Sequence, residues 1–138
     1  MVKIQNKWDL FDYLKILPAI IIAGVIFYFS SLPHPLPPPP PGQRIEFDLN
    51  SLLHIAEYTL FSFLVAFGFR YKAKDIYLII FPILFALTDE IHQYFVPNRY
   101  FDFYDILMDA IGVFLGFIAL LIFEFLYFRI FPEKKDFI

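Results

Sequence analysis

The chain has 138 residues and a mass of 16.4 kDa, room for a single domain. Apolar residues make up 59% of it and charged ones 18%, with 20 phenylalanines and a mean hydropathy of +0.63, more apolar surface than a water-solvated domain this small can bury. This excludes a soluble cytosolic enzyme and a disordered tail. The net charge of −3 argues against a nucleic-acid partner, and the lack of Cys removes disulfides, thiolate metal sites and a Cys nucleophile.

Four apolar stretches approach the ~20 residues that a hydrocarbon core requires. The first, at about 13–31, has no small-x-small cleavage site and is expected to stay as a membrane helix rather than be removed as a signal peptide. A Pro-rich loop at 32–50 follows, with Pro37 to Pro41 consecutive, a composition that favours a stiff polyproline strut. The remaining spans are expected at about 52–69, 76–95 and 104–128. Pro18 and Pro82 fall inside spans, where membrane helices tolerate them. Lys3, Lys7, Lys15, Arg70, Lys72, Lys74, Arg129, Lys134 and Lys135 share one side, leaving only Arg44 and Arg99 opposite. The positive-inside rule then puts both termini in the cytoplasm. The expected fold is a single all-α domain over 1–138, a four-helix transmembrane bundle with both ends inside (N-in/C-in), seated in the cytoplasmic membrane. Glu124, the one acid in the inner half of a span, is expected to snorkel to the interface.

Ionisable residues at membrane depth are costly and are functional candidates by default. His54 and Glu57 open the second span one helical turn apart. Asp89, Glu90, His92 and Gln93 end the third, with Asp89, His92 and Gln93 sharing a face and Glu90 about a quarter-turn away. Asp102, Asp105 and Asp109 form an acidic stripe at the start of the fourth, although Asp102 and Asp105 also suit a helix N-terminus. Below the stripe, Gly112 and Gly116 form a GxxxG on nearly the same face, which lets another helix approach closely. All of these sit near the outer surface. Two carboxylates ~6 Å apart repel by roughly 3 kcal/mol at an effective dielectric of 20, so protonation or a bound cation is needed to hold them together. A divalent metal is one such cation, with His54, Asp89, His92 and Asp105 as candidate ligands. A Ser51–His54–acid triad can be drawn, but no nucleophile elbow supports it.

The run His54-Ile55-Ala56-Glu57-Tyr58, the run Asp89-Glu90-Ile91-His92-Gln93-Tyr94-Phe95-Val96-Pro97-Asn98-Arg99, and Asp102, Asp105, Asp109, Gly112 and Gly116 together resemble the VanZ-like membrane proteins. The family takes its name from a member of a glycopeptide-resistance cluster that confers teicoplanin resistance. The resemblance covers at least 48–117 and marks His54, Tyr58, Asp89, Glu90, Gln93, Pro97, Arg99, Asp105 and Gly112 as motif positions. Asn98 stands where Gly is usual, Asp102 where a small polar residue is usual, and Asp109 where Asn is usual. The resemblance implies an envelope role without naming a reaction.

The functional expectation is an outward-facing polar pocket that binds or processes a membrane lipid or a lipid-linked envelope precursor. His54, Glu57, Asp89, Glu90 and Asp105 would supply acid–base or metal-ligand groups for a hydrolase or transferase. Tyr58, Gln93, Arg99 and Asp109 would contact substrate, Arg99 holding its anionic part. The alternative is a non-catalytic accessory protein whose buried ion network sets helix register.

Overall fold

The computed structural model describes residues 8–33, 47 and 49–132. They form four helices, α1 (Leu10–Ser30), α2 (Leu49–Phe69), α3 (Asp75–Gln93) and α4 (Phe103–Ile130), with no strand among them. The helices match the expected order and shift by a few residues. Most of the 32–50 loop, including Pro37 to Pro41, lies outside the described residues, as do Lys3, Lys7, Arg44, Lys134 and Lys135.

Three helices, α1, α2 and α4, are long and apolar enough to cross a membrane. The third, α3, is less apolar than expected of a span, because it opens on Asp75 and closes on Asp89, Glu90, His92 and Gln93. At ~1.5 Å per residue its 19 residues still extend for ~28 Å. Leu17, Ile20, Ile21 and Phe27 of α1 and Phe114, Ile118 and Ile122 of α4 point outward, as side chains solvated by lipid do.

The bundle runs up and down, so α2 and α4 point the same way and form the most extensive interface. The two glycines of α4 account for it. A Cβ at Gly112 would meet Ile55 O at 2.6 Å and Tyr58 Cβ at 3.0 Å, and one at Gly116 would meet Thr59 O and, at 2.8 Å, Phe63 N. The backbones therefore meet through the GxxxG, and Ser62 Oγ donates to Val113 O at 2.8 Å across the same seam. Ala19, Ile26, Tyr58, Phe61, Val65, Ala86 and Val113 form the core where α1 and α3 close over α2 and α4. Pro18 and Pro82 both lie within continuous helices.

Loops are fixed by specific caps. Asp9 and Asp12 form a reciprocal capping box at α1, with Asp12 N–H donating to Asp9 Oδ1 at 2.9 Å and Asp9 N–H to Asp12 Oδ2 at 3.1 Å. Asp102 caps α4 by accepting from Tyr104 N–H at 2.8 Å. In the loop before it, Asn98 adopts φ 60°, a left-handed conformation that Asn tolerates better than most residues.

Candidate functional site

The end of α1, the start of α2, the end of α3 and the start of α4 meet at one end of the bundle. The expected polar residues gather there, and α1 adds partners of its own. On the α1–α3 side, Ser30 Oγ donates to Asp89 Oδ2 at 2.6 Å and Gln93 Nε2 donates to the same oxygen at 3.2 Å. Arg99 then ties the loop to both helices. Its Nη1 donates to Gln93 Oε1 at 2.8 Å, its Nε to Leu32 O at 3.1 Å, and its Nη2 to Phe29 O at 3.2 Å. These bonds use three of the five guanidinium N–H groups and leave two.

On the α2–α4 side, His54 Nδ1 lies 2.8 Å from Asp109 Oδ1 and His54 Nε2 lies 3.7 Å from Asp105 Oδ2. Glu90, about a quarter-turn from Asp89 on the helical wheel, enters the cluster from the α4 side. It is 1% exposed and reaches over to α4, where its Oε2 accepts the Asp102 N–H at 3.0 Å. Ligand atoms of His54, Glu90 and Asp109 all lie within 4.8 Å of one another. Glu57 is half-buried within electrostatic reach of His54, Asp89 and Arg99, while Asp89 is likewise within reach of His54. Charge interactions thus reach from one side to the other.

Three buried polar atoms in this cluster have no hydrogen-bond partner among the described residues: Tyr58 Oη, Asp89 Oδ1 and Glu90 Oε1. Buried polar atoms are nearly always paired, so each marks room for a water, a proton, an ion or a ligand group.

One of the expected residues serves elsewhere, and another keeps the helix-start role its position suits. His92 turns to α1, where Nε2 lies 2.9 Å from Ser31 Oγ and the ring stacks on Phe27 at 4.3 Å. It thus stands apart from the metal candidates with which the spacing grouped it; the converging set has Glu90 and Asp109 in place of Asp89, His92 and Asp105. Asp102 is the α4 cap and holds Glu90 through its backbone. Sequence reasoning missed Ser30, Ser31 and the carbonyls of Phe29 and Leu32. The signal was the Ser30-Ser31 pair closing an otherwise apolar helix.

The opposite end of the bundle carries a second polar network. Arg70 Nε donates to Glu124 Oε1 and Oε2 at 2.8 and 3.0 Å, and Arg70 also pairs with Asp75. Lys72 Nζ lies 2.7 Å from Asp12 Oδ2. Glu124 is therefore an internal partner of Arg70 rather than a lone acid reaching for the interface. Burial opposes the charge of Arg70, but the hydrogen bond and the charge of Glu124 prevail and hold the guanidinium above its usual range. Burial, followed by the charge of Glu124, pushes the Tyr71 phenol up. A cavity of about 410 Å³ opens at this end, lined by Lys15, Arg70, Tyr71, Phe123, Glu124 and Tyr127 among others.

Helices of this length and composition, closed at one end by a buried network of acids and imidazole, define a multi-pass integral membrane protein. A family model described as VanZ/LLP1 matches residues 14–124, and the chain belongs to that family. No curated protein and no solved structure matches it.

Proposed function

We propose that α3 completes a four-span bundle with both termini in the cytoplasm, and that the His54–Asp89–Asp105 end faces the outer side of the cytoplasmic membrane. In support, Lys15, Arg70, Lys72, Lys74 and Arg129 all lie at the other end of the helices. In this setting the cluster binds or processes an anionic lipid or lipid-linked headgroup. Arg99 presents its two remaining N–H groups to the anionic part, with Tyr58, Gln93 and Asp109 as further contacts. His54, flanked by Asp105 and Asp109, stands at the centre of the site, and with Glu57, Asp89, Glu90 and Asp105 it supplies acid–base or metal-ligand groups.

The observation that carries this reading is the set of unpartnered atoms, Tyr58 Oη, Asp89 Oδ1 and Glu90 Oε1. A purely structural network would be expected to satisfy them. The accessory-protein reading has its own support in the continuous chain Ser30–Asp89–Gln93–Arg99, which joins α1 to α3 and to the following loop.

Asp89→Asn separates the two. The amide oxygen can still accept from Ser30 and Gln93, and only the unpartnered oxygen is replaced. In proteoliposomes of phosphatidylglycerol and polyprenyl phosphate, a headgroup site predicts product formation, seen by mass spectrometry, that Asp89→Asn abolishes with little change in thermal stability. Loss of stability with no turnover by the wild type supports the accessory role. The family adds a cellular expectation: expression shifts susceptibility to teicoplanin, and the Asp89→Asn variant does not.

A further inference from the structure

The proposed site poses an electrostatic problem. Glu57, Asp89, Glu90, Asp105 and Asp109 surround a place intended for an anion, with Arg99 as the fixed cation. Charges a few ångströms apart in a poorly screened interior interact by several kcal/mol, so a phosphate would be repelled unless protons or a cation neutralise the carboxylates. The place where a cation fits is defined by atoms already described.

We infer that His54, Glu90 and Asp109 form a divalent-metal site, with zinc as the favoured ion. Their ligand atoms lie within 4.8 Å of one another, from α2, α3 and α4 respectively. Two ligands of a tetrahedral zinc at ~2.0–2.1 Å stand about 3.4 Å apart, so the widest separations need to close by up to about 1.4 Å and the 2.8 Å between His54 Nδ1 and Asp109 Oδ1 needs to open by about 0.6 Å. The independent pointer is Glu90. One of its carboxylate oxygens holds the Asp102 N–H, while the other, in a residue 1% exposed, has no partner. A cation bound beside that oxygen would supply one.

The donor set suits zinc. One neutral imidazole and two carboxylates balance a divalent charge, and three protein ligands leave a fourth position open, as in zinc sites that bind water or substrate. The surrounding groups also fit. If Nδ1 of His54 ligates, Nε2 is the nitrogen that faces Asp105 at 3.7 Å, the outer carboxylate that ligating histidines usually carry. The Asp102 N–H plays the same part for Glu90. That the ion's open position takes a headgroup oxygen rests on the function proposed above; the ion's binding does not.

The test uses the full-length protein with an affinity tag free of histidine, purified in detergent without chelators and then stripped and titrated with zinc chloride. The expected result is stoichiometric zinc by elemental analysis, and for Co²⁺ a visible spectrum typical of low coordination number. Glu90→Gln and Asp109→Asn should each weaken zinc binding at least ten-fold, and Asp105→Asn by about ten-fold. Asp75→Asn, at the other end, should leave it unchanged. Wild-type protein that takes up no stoichiometric zinc overturns the inference, whatever the variants do. So does zinc binding that survives Glu90→Gln and Asp109→Asn together. Zinc bound without any lipid turnover would remove the headgroup function and leave the metal site in place. Turnover unaffected by zinc removal would leave both the metal site and the headgroup function in place and overturn only the seating of a headgroup oxygen on the ion.

Discussion

Replacing Gly116 by Ala puts the account of the α2–α4 seam under direct strain. The added Cβ would stand 2.8 Å from Phe63 N and 2.9 Å from Ser62 Cβ, and closer still to Thr59 O, where ordinary contact begins at 3.4 Å. Two of these obstacles are α2 backbone atoms, which no rotamer change removes. The seam must therefore open by at least 0.6 Å, the difference between 3.4 and 2.8 Å. A gap of that size forfeits about a quarter to a half of the dispersion energy of each contact it widens. Overpacking of this kind costs about 1–3 kcal/mol, offset by roughly 0.5–1 kcal/mol for Ala over Gly inside a helix. The net expectation is a loss of about 1–2 kcal/mol, or roughly 3–10 °C in melting temperature for a chain of this length. Gly24→Ala is the matched control, because a Cβ there has nothing within 4 Å and retains only the helix gain. Thermal unfolding in one detergent, followed by Trp and Tyr fluorescence, measures both. Equal melting temperatures for the two variants would refute close backbone packing at the GxxxG.

Other variants test the polar ends. Gly112→Ala lies on the same seam, one helical turn from Asp109, and should also weaken zinc binding, measured by titration, because widening the seam separates His54 from Asp109. Arg99→Lys keeps the charge but cannot span Gln93, Leu32 and Phe29 together, and should destabilise by about 1–3 kcal/mol in denaturant unfolding. Glu124→Gln removes the charged partner of the Arg70 Nε, leaves Asp75 on its Nη1, and should cost about 1–3 kcal/mol by the same measurement. The double change Arg70→Met with Glu124→Met should recover most of that loss.

Much of this was legible in the sequence because a bilayer enforces it. Long apolar runs must be helical, and the spacing of Gly112 and Gly116 placed them on one face. The polar cluster was legible because His54, Asp89, Asp105 and Asp109 interrupt otherwise apolar stretches, where ionisable residues are rare. The errors arose where a single helix was considered without its neighbours. A helical wheel separates Glu90 from Asp89, but with helices on both sides of α3 the two directions are equally buried, Asp89 toward α1 and Glu90 toward α4. Grouping His92 with Asp89 failed for the same reason, since Ser31 and Phe27 offered it a better place. Glu124 looked solitary because Arg70, its partner, is 54 residues distant. The departures from the family pattern have physical readings as well. Asn98 meets the positive φ that Gly would, and Asp102 caps a helix as other small polar residues do. Asp109 gives His54 a charged partner where Asn would give a neutral one.

The central claim, that both sides of the polar end form one electrostatic site, is tested most directly by measuring Asp89→Asn in two backgrounds. His54 and Asp89 share no hydrogen bond with each other, so any coupling acts through the common field. In the wild type the substitution should be nearly neutral. In His54→Ala, which removes the imidazole and any ion it holds, neutralising Asp89 relieves repulsion and should stabilise the protein by about 1 kcal/mol or more in denaturant unfolding. Effects that agree in the two backgrounds to within about 0.3–0.5 kcal/mol would contradict the claim and divide the cluster into two unrelated pairs.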